Sequence, residues 1–311
     1  MILVDDIILR DGAVFVADSH FMRGDFSLLG FLDSISRSLP LGGQIFFMGD
    51  IFHLLIGIIP SSRRDNIDLI NMIETLSKDY EIIFLEGNHD FGLQNLWGNA
   101  VRYDSNLESK NDLEQQQVFE YKRDPSAFLQ KPQDDTEQHN LKNNKNVKIK
   151  IIPYKSQPLV IKDAYNRVCI LAHGDLWISP FYDFYRRIVN NNLLLFAFNV
   201  IDRLTFGIIY DRFSRRISRR RIAEFAFYRS DFDDFMLQRL ELYRQNVIKI
   251  LIDKGFCSEN QSFCIIEGHF HLGKSINVAN VNYNSLESCF FNKREYLSFS
   301  DGLIQLKRVK T

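Results

Sequence analysis

Residues 81–90 read EIIFLEGNHD, a short apolar run followed by a glycine and three side chains able to bind a metal or move a proton. Apolar runs of this length, bounded by turn residues, mark strands buried on both faces. The pattern recurs along the chain. Runs at Ala13 to Ala17, Gln44 to Met48, Val168 to Ala172 and Phe263 to Ile266 lead within two residues into DSH (18–20), GD (49–50), HGD (173–175) and GHFH (268–271). Of the seven histidines, five (His20, His89, His173, His269 and His271) lie in these segments, and His53 follows Asp50 by three residues. Ligands of α/β sheets gather beyond the carboxyl ends of the strands, so side chains far apart in sequence are expected to meet there. Mixed carboxylate, amide and imidazole donors suit Mn²⁺, Fe or Zn²⁺ and not a soft thiolate site.

Working outward, helices are expected at Phe26 to Ser38 and Asn66 to Asp79, and a terminal hairpin at about 278–309, turning at Asp301-Gly302. Residues 104–147 are polar and read as a surface excursion. Residues 178–254 read as an inserted helical lid, so the expected core is 1–177 with 255–311. Within the lid, residues 193–210 (LLLFAFNVIDRLTFGIIY) form an apolar stretch in which Asn199, Asp202 and Arg203 share one helical face. Six arginines follow in residues 212–221, and Arg186-Arg187 precede it. Such a lid fits contact with anionic lipid, the cradling of acyl chains, or a helical hairpin packed on the core with a solvated basic face.

The composition sets limits. With 45% apolar residues, 25% charged and a net charge of −1, the chain has the makeup of a globular protein. Neither that charge nor so apolar a lid suits nucleic-acid binding. Four scattered cysteines form no CxxC pair, as expected for reduced thiols. The first twenty residues lack the features of a signal peptide, and no window holds about 20 uninterrupted apolar residues. The expectation is a cytoplasmic protein.

Taken in order, DSH, GD, GNHD, HGD and GHFH resemble the motifs of the calcineurin-like metallophosphoesterase superfamily. The resemblance implies an α/β fold of the α+β sandwich type, with two β-sheets flanked by helices, and two divalent cations. Asp18, His20 and His271 would hold one cation and Asn88, His173 and His269 the other, with Asp50 bridging them. His89 would contact the leaving group, oriented by Asp90. The second motif departs from the pattern, because GDIFH places His53 where an aspartate is usual. The lid is similar to that of the UDP-2,3-diacylglucosamine pyrophosphatases of lipid A synthesis. That resemblance implies a Mn²⁺-dependent hydrolase, peripheral at the inner face of the cytoplasmic membrane, cleaving a lipid-linked nucleotide to UMP and lipid X. The alternatives are a soluble phosphatase or phosphodiesterase acting on nucleotides or phosphoproteins, and a metal-free scaffold.

Overall fold

The computed structural model describes residues 2–98, 149–218, 229–290, 295–300 and 303–308. The polar excursion at 104–147, three of the lid arginines (Arg219, Arg220 and Arg221) and the Asp301-Gly302 turn lie outside them.

The elements run β1 (Ile2–Leu9), β2 (Val14–Val16), α1 (Phe26–Ser38), β3 (Gln44–Phe47), β4 (Leu55–Ile56), α2 (Pro60–Asp65), α3 (Ile67–Leu76), β5 (Glu81–Leu85), β6 (Asp90–Phe91) and α4 (Gln94–Trp97). After the excursion come β7 (Ile149–Ile152), β8 (Leu159–Asp163), β9 (Val168–Ala172), α5 (Pro180–Val189), α6 (Asn192–Leu204), α7 (Ile208–Ser218), α8 (Arg229–Tyr243) and α9 (Lys249–Asp253). Strands β10 (Phe263–Glu267), β11 (Lys274–Val278), β12 (Val281–Ser285), β13 (Glu295–Ser300) and β14 (Leu303–Arg308) complete the order.

Two six-stranded sheets result, β1-β8-β9-β10-β12-β11 and β14-β13-β2-β3-β5-β7. The five strands expected from their apolar runs are all present, but they divide between the sheets. Strands β2, β3 and β5 pair in parallel in one, and β9 and β10 pair in parallel in the other. Phe15, Phe46 and Ile83 from the first pack with Cys169, Leu171 and Ile266 from the second, so the sheets lie face to face across a shared apolar layer.

Helices cover the outer faces. Helix α1 begins where the Asp25 carboxylate accepts the Leu28 N–H at 3.3 Å, and it buries Leu28, Phe31, Leu32 and Ile35 at helical spacing. Helix α3 buries Leu69, Ile70, Ile73 and Leu76 in the same layer. On the opposite face Met236, Leu240 and Tyr243 of α8 pack with Ile170, Ile265 and Tyr283.

Within the expected lid at 178–254, α8 and α9 pack on the core through Met236, Leu240, Tyr243 and Leu251, and α5 to α7 precede them. The apolar stretch 193–210 is not one helix. It breaks after Leu204, where Phe206 and Gly207 take left-handed backbone angles (φ 50° and 81°), and α7 departs at 111° to α6.

Asp202, one of the three polar residues expected to share a face of α6, is buried and accepts the Ser61 N–H at 3.1 Å. Leu195 is buried one turn-pair earlier on that face, while Leu193, Phe196 and Leu204 point outward. No single helix among the described residues is long and apolar enough to cross a membrane; α6 and α7 pass on length and composition only as a bent pair.

Candidate metal centre

Parallel pairing aligns the carboxyl ends of β2, β3 and β5, and likewise those of β9 and β10, so the five motif loops converge at one edge between the sheets. Bonds across the sheets close this edge. His173 Nδ1 lies 2.9 Å from the Met48 carbonyl, and Asp18 Oδ2 accepts the His269 N–H at 2.9 Å.

The loops themselves are sharply bent. Asp18, His20, Asp50, His269 and His271 all have positive φ, between 45° and 64°. Left-handed backbone costs on the order of 1 kcal/mol or more for such residues and persists only where the surroundings enforce it. Glycine is required beside them. A Cβ on Gly87 would overlap Asp50, and one on Gly49 would lie 2.5 Å from His173 Nδ1.

The side chains fall into groups. Donor atoms of Asp18, His20 and His271 lie within 4.8 Å of one another, as do those of Asp50, His173 and His269. Asn88 Oδ1 joins the second group, 3.3 Å from His173 Nε2, and Asp50 Oδ2 is 3.5 Å from the same nitrogen. The structure thus brings together all seven candidate ligands. A further grouping was not expected: His53, whose role the sequence left open, sits with His20 and His89 at the same spacing.

His89 is oriented differently from expectation. Its Nδ1 is 2.7 Å from the His53 carbonyl, which can only accept, so Nδ1 carries a proton and Nε2 is left for a substrate. Asp90 does not orient it. The buried Asp90 carboxylate is taken up by four main-chain donors: the amides of Asp50 (3.0 Å), Ile51 (2.6 Å), Phe52 (3.2 Å) and Gly87 (2.8 Å). Asp90 thereby shapes the loop that carries Asp50. The orienting acceptor came from main chain 36 residues away, which no residue-type pattern can signal.

Electrostatics favour cations here. Burial would raise Asp18, but His271 outweighs it and holds the carboxyl below its usual range. Burial likewise opposes ionisation of Asp50, yet His173 and His89 carry it well below that range. His173 is the counterpart: burial pulls it down, the Asp50 carboxylate wins, and it rises to about 10. Burial, with smaller contributions from His89 and His271 for His20 and from His173 for His269, depresses both rings to about 4, leaving them neutral and able to donate lone pairs. His53 is also lowered by burial. Glu86, not singled out in the sequence, is pushed by burial up to about 7.

The donor set fits divalent cations: each group offers imidazole and carboxylate donors at ligand spacing, and buried His20 Nδ1 has no hydrogen-bond partner among the described residues. A cavity of about 810 Å³ opens from these groups, walled by His20, Asp50 and His89 at one end and by Tyr185, Phe198 and Arg216 of the lid at the other. No protein-family model matches the chain, and no curated protein matches it in sequence.

Proposed function

We propose that the chain is a two-metal phosphoesterase hydrolysing the pyrophosphate of a lipid-linked nucleotide, most specifically UDP-2,3-diacylglucosamine. The reading is supported above all by one continuous cavity that joins the histidine–carboxylate groups to an apolar, arginine-bearing lid.

Asp18, His20 and His271 would hold one cation, and Asn88, His173 and His269 the other. Asp50 would lie between them, its other oxygen engaged by the His89 N–H at 2.8 Å. When bound, such a pair neutralises phosphate charge and lowers the pKa of water. The chain does the rest. Water would lose one proton to solvent as it adds to the α-phosphorus, and the bond to the bridging oxygen would break. His89 in its doubly protonated form would give that oxygen the Nε2 proton, releasing UMP and a lipid monophosphate and keeping its Nδ1–H. The main-chain bond at Nδ1 keeps this ring aimed at the cavity.

The lid exposes Phe181 (80%), Leu193 (79%) and Phe206 (88%), more apolar surface than a monomer normally leaves to water. Arg212, Arg215 and Arg216 are exposed on the same α7. This surface suits peripheral contact with an anionic bilayer at the inner face of the membrane.

The test is direct. Purified protein with Mn²⁺ is expected to release UMP from UDP-diacylglucosamine in mixed micelles. Ready hydrolysis of simple phosphodiesters or nucleotides with no UMP release would replace this reading with a soluble phosphodiesterase.

A further inference from the structure

The two cation groups are supported in different ways, and the difference involves the segment inserted between HGD and GHFH. The first group is held largely by the core, although its His271 shares a loop with His269 and Arg239 lies 5.0 Å from the ring of the intervening Phe270. Asp18 N–H donates to the Gly49 carbonyl at 3.1 Å, the Ser288 hydroxyl donates to the Asp18 carbonyl at 2.7 Å, and His20 N–H donates to the Asp50 carbonyl at 2.9 Å.

The loops bearing Asn88, His173 and His269 are each tied, within two residues of the donor, to a buried arginine or its carboxylate partner. Arg186 of α5 is fully buried and donates from Nη2 to the Gly87 carbonyl at 2.8 Å. That carbonyl belongs to the peptide bond leading into Asn88. Arg186 Nε lies 2.7 Å from Asp175, two residues beyond His173, and the guanidinium stacks 4.3 Å from the centre of the Tyr154 ring. The Tyr182 hydroxyl, also on α5, donates to the same Asp175 carboxylate at 3.1 Å.

Arg239 of α8 shares the His173 loop with Arg186 and serves the third, that of His269. Its Nη2 donates to the Gly174 carbonyl, next to His173, at 3.1 Å, and its Nη1 donates to the Leu176 carbonyl at 2.8 Å. The same guanidinium meets both oxygens of Glu267 at 3.1 and 2.7 Å. Glu267 lies two residues before His269 and also accepts from Tyr243 at 2.7 Å and from Tyr283.

We propose that Arg186 and Arg239 are positioning residues for the second cation group. The inserted segment is then a working part of the metal centre and not a detachable cover. The physical reason lies in the guanidinium fork. It donates to several acceptors in fixed directions, so one side chain sets the relative placement of two loops. Burying such a charge costs several kcal/mol unless it is paired, and plain helix docking could be achieved with apolar contacts alone.

This inference rests on the two-cation reading, and the experiment separates the two. Mn²⁺ binding is measured by titration and by electron paramagnetic resonance on the wild type, Arg186→Lys and Arg239→Lys. Lysine keeps the charge but not the fork. The wild type is expected to take two equivalents with a spin-coupled signal. Each variant is expected to bind one equivalent normally and the other about 10- to 100-fold more weakly, the range for residues that orient ligands without touching metal. Its spectrum should change to that of isolated Mn²⁺.

In the His173→Ala background, where the second site is already lost, Arg186→Lys is expected to add nothing. Tyr182→Phe, a milder change, is expected to weaken the same equivalent by a few fold, which keeps the test open should a lysine variant misfold. Unchanged binding of both equivalents, or equal weakening of both in a protein with native circular dichroism, would overturn the proposal. Failure of the wild type to bind Mn²⁺ would instead end the two-cation reading.

Discussion

Helices α1 and α6 each have 13 residues, and α6 is the more apolar of the two, yet they do opposite things. Helix α1 buries four apolar residues against its sheet, whereas α6 buries only Leu195 and Asp202 and turns most of its apolar residues outward. A core helix is held by the area it removes from water. The lid helix is held by a polar pin, the Asp202 carboxylate on the Ser61 amide, together with the small cluster of Leu195 and Tyr210 on Leu54, Ile56 and Phe91. The core face of α1 is thus closed by its own packing, and the outward face of α6 is left for something apolar to cover.

The largest expected effect separates chemistry from capture. His89→Gln removes the proton donor and is expected to lower kcat by about 10² to 10⁴ with little change in KM. Phe206→Ser, on the lid, is expected to raise KM for the lipid substrate and leave kcat nearly unchanged, as steady-state kinetics in mixed micelles would show. Equal losses of kcat in the two variants would erase the distinction between core and lid.

A smaller contrast concerns stability. Leu32→Ala, in the core face of α1, is expected to cost about 2–5 kcal/mol in denaturant unfolding. Leu204→Ala, on the outer face of α6, is expected to stay within about 0.5 kcal/mol. Similar losses would mean that the outward face of α6 is covered in solution.

A further contrast is a pH slope confined to the core. In the chelated protein His20 and His269 titrate near 4 when folded and near 6.5 when unfolded. Between those values the unfolded chain binds more protons, so stability is full above about 6.5 and is lost as pH falls toward 4. The unfolding midpoint is expected to drop across that window, and His269→Gln to flatten the drop. A midpoint that held or rose on acidification would show that these rings are not buried as neutral donors.

Much of the core was legible because local pattern carries it. Strand β5 occupies Glu81–Leu85 as expected, helix α1 occupies Phe26–Ser38, and β13 and β14 form the terminal hairpin. Strands with weaker signals were missed: β1 is interrupted by Asp5 and Asp6, and β11 and β12 alternate polar with apolar residues. The division of the strands between two sheets was invisible to the residue pattern itself, because an apolar run ending in ligands reads the same in either sheet.

At the site, the sequence by itself determined which donors stand at the strand ends, since glycine, aspartate and histidine there form a local and repeated pattern. Only the tertiary structure decided what each does. Asp90 was drawn to four amides, the His53 carbonyl took over the orienting of His89, and Arg186 left the basic surface for a buried place beneath Gly87. The reason is separation along the chain: the Arg186–Gly87 bond spans 99 residues. Periodicity can say that a side chain is charged and helical, but whether that charge is solvated or buried depends on partners that only the packed sheets bring within reach.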